Sequence, residues 1–176
     1  SRASLGVQDI SPAVQALIGR IQPAAQVEAA VRRLRAAGIA SINMDLIYGL
    51  PAQGVAEVEA SARFAADCGA DRVAVFGYAH VPWMKKNQRL IDAATLPDVS
   101  ARIAQSRVAR DYLVERGYVS VGLDHFAEPS DELTVAMRAG QLHRNFQGYT
   151  IDRADALIGL GASAIGKLPQ GFVQNA

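Results

Sequence analysis

The 176-residue sequence has a single cysteine, Cys68. A lone thiol excludes an internal disulfide and any metal site built from this chain's cysteines alone. Neither sign of charge prevails: 18 Lys and Arg face 17 Asp and Glu, for a net charge of +1. That balance argues against broad steering to nucleic acid or an anionic membrane. No apolar run approaches the ~20 residues that span a bilayer, so no membrane span is expected. No basic-then-apolar leader marks a signal peptide, and the expected location is cytoplasmic. Low-complexity tracts and 20–50-residue repeats are also lacking, against a solenoid or a propeller. What is present suits a packed core: half the residues are apolar and 20% are charged. The length reads as one ordinary domain. Both ends, at Ser1 and Ala176, are abrupt, and the first stands almost directly before a strand-like run. The chain therefore reads as a piece of a longer polypeptide.

Strand and helix patterns alternate. Residues 4–8 read as a strand, and Ser11-Pro12 as the start of a short helix carrying Val14, Leu17 and Ile18. A second helix is expected from Pro23 to Gly38, with Val27, Ala30, Val31, Leu34 and Ala37 inward and Arg32, Arg33 and Arg35 toward water. Ser41–Gly49 reads as a strand and 54–69 as a helix with Val55, Val58, Ala62 and Ala65 inward. Arg72–Tyr78 has the apolar make-up of a strand covered on both faces. A partly basic connection over 81–96 holds Lys85, Lys86 and Arg89. A helix over 97–117, a strand over 118–123 and a short helix capped by Ser130 and ending near Gly140 follow. Residues 146–149 and 158–165 are the last strand candidates. Strands separated by helices imply βαβ units, a parallel sheet, and either an α/β barrel or a doubly wound sheet.

In a barrel, functional groups gather at the C-terminal ends of the strands. Polar residues recur there. Gln8 and Asp9 end the first strand, and Tyr78, Ala79 and His80 the third. Asp124 and His125 end the fourth, and Arg144, Asn145 and Gln147 surround the fifth. Asn43 and Asp45 lie inside the second and share a face. Asp45, between Met44 and Leu46, needs donors if it is buried. It is either a ligand-binding carboxylate or half of an ion pair with an arginine inside the barrel. Gln8 could read a ligand or bond loop backbone, and Arg20 taken alone is a solvated cation. No two of His80, His125 and His143 have a helical i, i+4 spacing, so no metal site is expected. Cys68 reads as a small buried residue. Gly159-x-Gly161 lacks the rest of a dinucleotide fingerprint.

Five motifs carry a resemblance. Leu5-Gly6-Val7-Gln8-Asp9 and Asp45-Leu46-Ile47-Tyr48-Gly49-Leu50-Pro51 resemble radical S-adenosylmethionine enzymes of the coproporphyrinogen type. Tyr78-Ala79-His80-Val81-Pro82, Gly122-Leu123-Asp124-His125-Phe126-Ala127 and 142–150, Leu-His-Arg-Asn-Phe-Gln-Gly-Tyr-Thr, look like the oxygen-independent coproporphyrinogen III oxidases. The first two motifs are shared with heme-chaperone-like relatives, and the last three separate the oxidases from them.

The resemblance implies a partial, TIM-like (β/α) barrel. Residues 1–176 would form its central and C-terminal portion, without the cluster-binding N-terminal part and the C-terminal domain. It implies two bound S-adenosylmethionine molecules and a [4Fe–4S] cluster on a C-x-x-x-C-x-x-C loop that this chain lacks. The family reaction cleaves S-adenosylmethionine reductively. The resulting radical takes hydrogen from a propionate of coproporphyrinogen III, and loss of CO₂ leaves a vinyl group, twice per substrate. By motif, Gln8, Arg20 and Asp45 would contact one S-adenosylmethionine. Ala79 and Ile165 would line the other, and Phe146 and Gln147 would lie near the active cavity. Arg144 and His80, or the Lys85–Lys86–Arg89 group, could meet the substrate's propionates. No residue of the chain is assigned a catalytic role. Ile151 stands where relatives often have a second Thr after Thr150.

The implied parent is an oxidoreductase and a monomer, fed by an electron donor to its cluster. The isolated piece is expected to be inactive, with strand edges and apolar helix faces exposed. The alternatives are a heme-chaperone-like or other non-catalytic binding protein on the same fold, and a purely structural fragment.

Overall fold

A computed structural model describes residues 2–145 and 148–175. Three parallel strands open the chain: β1 (Arg2–Gln8), β2 (Ser41–Tyr48) and β3 (Arg72–Gly77). Between β1 and β2 run α1 (Pro12–Leu17) and α2 (Ala24–Ala36), and between β2 and β3 runs α3 (Val55–Asp67). These connections are long enough for parallel crossovers. Pro12 sits at the first position of α1, where its missing N–H costs nothing. At the end of α2, Gly38 takes φ +78°, and the amides of Gly38 and Ile39 bond the carbonyls of Arg35 and Leu34. That left-handed stop is the one for which glycine is suited.

After β3 come two short 3-10 turns, at Lys86–Leu90 and Ala93–Thr95, then α4 (Val99–Glu115). Asp98 caps α4 by accepting from the Ala101 amide at 2.8 Å. The strand expected over 118–123 is instead an antiparallel pair, β4 (Val119–Val121) and β5 (His125–Ala127). The turn between them is far too short for a parallel return. β5 also pairs antiparallel with β3, giving the sheet order β1-β2-β3-β5-β4. The expected all-parallel sheet is therefore mixed, and among the described residues it is open rather than closed into a barrel. Because β5 runs backward, Asp124 and His125 begin a strand instead of ending one. They still lie toward the C-terminal ends of the parallel strands, with His125 opposite Ala74 and the Asp124 carbonyl on the Val75 amide at 2.8 Å.

α5 (Glu132–Arg138) is capped by Asp131, not by Ser130: the Asp131 carboxylate accepts from the Leu133 amide at 2.7 Å. β6 (His143–Asn145) and β7 (Gly148–Thr150) form a hairpin, as do β8 (Ile165–Leu168) and β9 (Gly171–Gln174). The expected strand over 158–165 is loop for most of its length. Of that segment only Ile165 joins the second hairpin, and Leu157 just before it bridges to Lys167.

The core lies on one face of the sheet. Val7, Ile42, Met44, Leu46, Val73, Val75 and Phe126 pack there against Val27 and Val31 of α2, Val58, Ala62 and Ala65 of α3, and Ala109 and Leu113 of α4. Val55 and Ala37, expected inward, are exposed. Arg35, expected in water, instead ties the Asp71 carboxylate at 2.7 Å to the carbonyls of Ala40 and Gly69. The opposite face is covered in part by α5 and the β6–β7 hairpin through Val121, Ala127, Leu133, Met137, Leu142 and Tyr149. No helix among the described residues is long and apolar enough to cross a membrane.

Candidate functional site

Strand alternation puts every second residue on the face away from the main core. There Ser4 lies beside Asn43 and Gly6 beside Asp45, and Asp45 is followed across the sheet by Ala74 and His125. The Asp45 carboxylate accepts from the Asn43 amide at 2.7 Å and from the Ser4 hydroxyl at 3.1 Å, and Asn43 also donates to Ser4 at 2.8 Å. Asp45's hydrogen-bond partners are thus neutral, and the arginine ion pair considered from sequence is not formed among the described residues. The Asn43 Oδ1 atom is buried without a hydrogen-bond partner among the described residues. Such an oxygen costs about 1–3 kcal/mol if nothing donates to it.

Gly6 is where the other predicted contacts meet. A Cβ there would stand 2.8 Å from Gln8 Nε2 and 3.1 Å from Arg20 Nη2. Arg20 Nη2 donates to the Gly6 carbonyl at 2.7 Å, and its Nε donates to Gln22 Oε1 at 3.4 Å. Arg20 gets there because α1 stops at Gly19, φ +66°, with the Arg20 amide bonded to the Gln15 carbonyl at 2.9 Å. Gln8 closes β1 with φ +68°, beside a register shift between Gly6 and Gln8. The three residues predicted to share one ligand thus converge on one bare stretch of backbone.

Beneath this corner lies a buried polar network that sequence reasoning assigned no role. The Asp9 carboxylate, fully buried, accepts from Gln53 Nε2 and from the Ser11 amide, both at 2.6 Å. Burial pushes the Asp9 carboxyl above its ordinary value, against the pull of the Gln53 and Ser11 hydrogen bonds. Gln105 of α4 donates to the Gln53 carbonyl at 2.5 Å and accepts from the Gly49 amide at 3.0 Å. The available signal was Gln105, which the period of α4 turns inward, and Asp9, which continues Leu5 and Val7 at strand spacing; Gln53 lies in the loop before α3, where no period marks it.

A cleft of about 360 Å³ opens over the polar face, lined among others by Asp45, Asn43, Ser4, Arg72, His125 and Tyr149. His125 Nδ1 lies 2.7 Å from Asp124 Oδ1, and the ring meets Phe76 and Tyr149 edge-on. Arg72, 4% exposed, pairs at 2.7 Å with Asp131, 6% exposed, and so ties β3 to the cap of α5. Ala79 and His80 follow β3, at the sheet end where Gln8 lies. The His80 ring nitrogen Nδ1 lies 3.1 Å from the Tyr78 hydroxyl, and the Ala79 carbonyl accepts from Gln88 at 3.1 Å. Lys85, Lys86 and Arg89 are exposed. Ile165 and Arg144 do not line the Asp45 cleft; they line a neighbouring one of about 300 Å³ between the two hairpins. Asn145 and Thr150 line both. Arg144 stacks over Tyr149 at 5.2 Å. Phe146 and Gln147 lie outside the described residues. Cys68 is half-buried at the end of α3, its thiol pushed up chiefly by desolvation. The described residues hold no group of His, Cys, Asp and Glu fit for a metal ion.

No protein-family model matches the chain. It is 55% identical over 175 residues to an oxygen-independent coproporphyrinogen III oxidase of Bradyrhizobium diazoefficiens, covering 99% of this chain and 39% of that protein. It is 49% identical over 176 residues to the protein of the same name from Paracoccus denitrificans, covering all of this chain and 39% of that one. The chain thus spans about two fifths of the length of these relatives. The solved structure of coproporphyrinogen III oxidase from Escherichia coli, presented as a radical SAM enzyme, superposes with a TM-score of 0.90 at 41% identity, over 99% of this chain and 40% of that one. In sequence along its whole length and in fold, the chain is a homologue of part of the oxygen-independent coproporphyrinogen III oxidases.

Proposed function

We propose that the chain is the S-adenosylmethionine-holding wall of an oxygen-independent coproporphyrinogen III oxidase. The whole protein would convert two propionates of coproporphyrinogen III to vinyl groups, giving protoporphyrinogen IX in anaerobic heme synthesis. The convergence of Gln8, Arg20 and Asp45 around Gly6 carries the reading. Those groups suit the polar parts of S-adenosylmethionine. A carboxylate accepts from ribose hydroxyls, an amide reads hydroxyl or amine, and a guanidinium pairs with a carboxylate. Gly6 leaves backbone bare for close approach, and Asn43 and Ser4 hold the Asp45 carboxylate in one orientation.

When bound, S-adenosylmethionine and a [4Fe–4S] cluster supply the radical chemistry. A lone, half-buried Cys68 cannot hold a cluster, which needs several thiolates, so its ligands and electron donor belong outside this chain. A second S-adenosylmethionine would rest against Ala79 and Ile165. Arg144, His80 and the basic 85–89 segment would face the substrate's carboxylates. The protein would act as a cytoplasmic monomer.

Asp45→Ala in the full-length protein tests the reading. Turnover is expected to vanish while iron and sulfide content stay at wild-type levels. Normal turnover in that variant refutes the role of Asp45.

A further inference from the structure

Gln8 stands in a backbone conformation that side-chain-bearing residues seldom adopt. Its φ is +68°, and the Asp9 amide donates to the Val7 carbonyl at 2.9 Å, closing a three-residue turn around it. A turn of this hand at a non-glycine residue is strained and persists only where its surroundings over-determine it. The turn matters because it folds the Gln8 side chain back over Gly6, beside Arg20.

What over-determines it is Asp9. The residue is 0% exposed and is held at each polar group. Its Oδ1 accepts from the Ser11 amide at 2.6 Å and its Oδ2 from Gln53 Nε2 at 2.6 Å. Its carbonyl accepts from Gln15 Nε2 at 2.8 Å, and the next amide, Ile10, donates to Ser61 Oγ at 3.2 Å. Gln53 cannot turn its amide round cheaply. Its Oε1 already accepts from the Leu50 amide at 3.0 Å and its Nε2 also donates to the Ile47 carbonyl at 2.8 Å. Through Gln53 the clamp reaches the loop after β2 and, by Gln105, α4. Both carboxylate oxygens of Asp9 face donors, so only an acceptor at both positions satisfies the pocket.

We propose that Asp9 is a positioning residue for the ligand site: its buried carboxyl, clamped by Gln53 and Ser11, locks the strained turn at Gln8 and so aims the Gln8 amide. The proposal rests on the reading that Gln8 contacts S-adenosylmethionine. Asp9 itself touches no ligand.

A double-mutant cycle tests it, because residues acting as one unit are non-additive. The full-length protein is dialysed to equilibrium against radiolabelled S-adenosylmethionine as wild type, Gln8→Ala, Asp9→Asn and the double variant. Gln8→Ala is expected to weaken binding about tenfold, the scale of one lost ligand hydrogen bond. Asp9→Asn is expected to weaken it by a similar factor, yet to add less than about twofold once Gln8 is Ala. Equal loss from Asp9→Asn in both backgrounds, or no loss in either, overturns the proposal. Unchanged binding in Gln8→Ala overturns instead the reading of Gln8 as a ligand. If Asp9→Asn does not fold, Gln53→Met removes one donor without setting an amide against Ser11, and the same cycle with Gln8→Ala decides.

Discussion

The two faces of the β1–β3 sheet are built from alternate residues of the same strands, yet they do opposite work. One face carries Val7, Ile42, Met44, Leu46, Val73 and Val75 and is sealed by helices. The other carries Ser4, Gly6, Asn43, Asp45 and Ala74 and lines a cleft with His125. Neighbours such as Met44 and Asp45 therefore answer to different demands. Met44 removes apolar surface from water, the main favourable term in folding, whereas Asp45 keeps a carboxylate half-buried on neutral partners. Core packing and the proposed ligand contacts are separated by one residue of strand period.

That separation can be broken or sharpened by substitution. Asp45→Ala should give the largest functional effect, with loss of turnover in the full-length protein but a denaturant midpoint shifted little, since no ion pair is broken. A large stability loss would merge the two faces. Removing half of the buried Arg72–Asp131 pair, as Asp131→Ala, should cost about 3–5 kcal/mol in urea unfolding, because Arg72, 4% exposed, keeps its charge with only Glu132 left at 3.9 Å and α5 loses its cap. Met44→Ala should cost about 2–5 kcal/mol and leave S-adenosylmethionine affinity per folded molecule unchanged. Tyr118→Phe leaves the buried Ala70 carbonyl without its 2.5 Å donor and should cost about 1–3 kcal/mol. Burial pushes the Tyr118 hydroxyl up to about 12. The folded state then holds its proton while the unfolded state releases it, so stability falls as pH rises from 10 toward 12. Tyr118→Phe should flatten that fall, as followed by circular dichroism. Arg63→Ala breaks the exposed Glu59 pair and the stacking of Arg63 over Tyr112 at 5.0 Å, and should cost about 0.5–1.5 kcal/mol.

Much of this was legible beforehand. Strand period put Asn43 and Asp45 on one face, and glycine stops delimited α2 and α3, because both signals are local. Motif resemblance assigned Gln8, Arg20 and Asp45 to one ligand; in the structure the Gln8 and Arg20 side chains flank Gly6, whose neighbour on β2 is Asp45, and the shared ligand stays a proposal. The β4–β5 hairpin was missed because Val119-Ser120-Val121 and His125-Phe126-Ala127 each fit a strand of either direction; pairing partner, not pattern, sets the hand. Arg35 was sent to water by helix period, although the Ala40 carbonyl of the α2–β2 turn and, from the α3–β3 turn, Asp71 and the Gly69 carbonyl await it.

The Asp9 clamp shows the boundary most clearly. Local chemistry already requires an aspartate that deep to have donors. That those donors are Ser11, two residues on, and Gln53, from a distant turn, depends on how β1 and the loop after β2 are packed together. Alternation and capping act over a few bonds and can be read along the chain. Strand order, burial and the meeting of remote polar groups arise from packing in three dimensions, where sequence separation no longer measures distance.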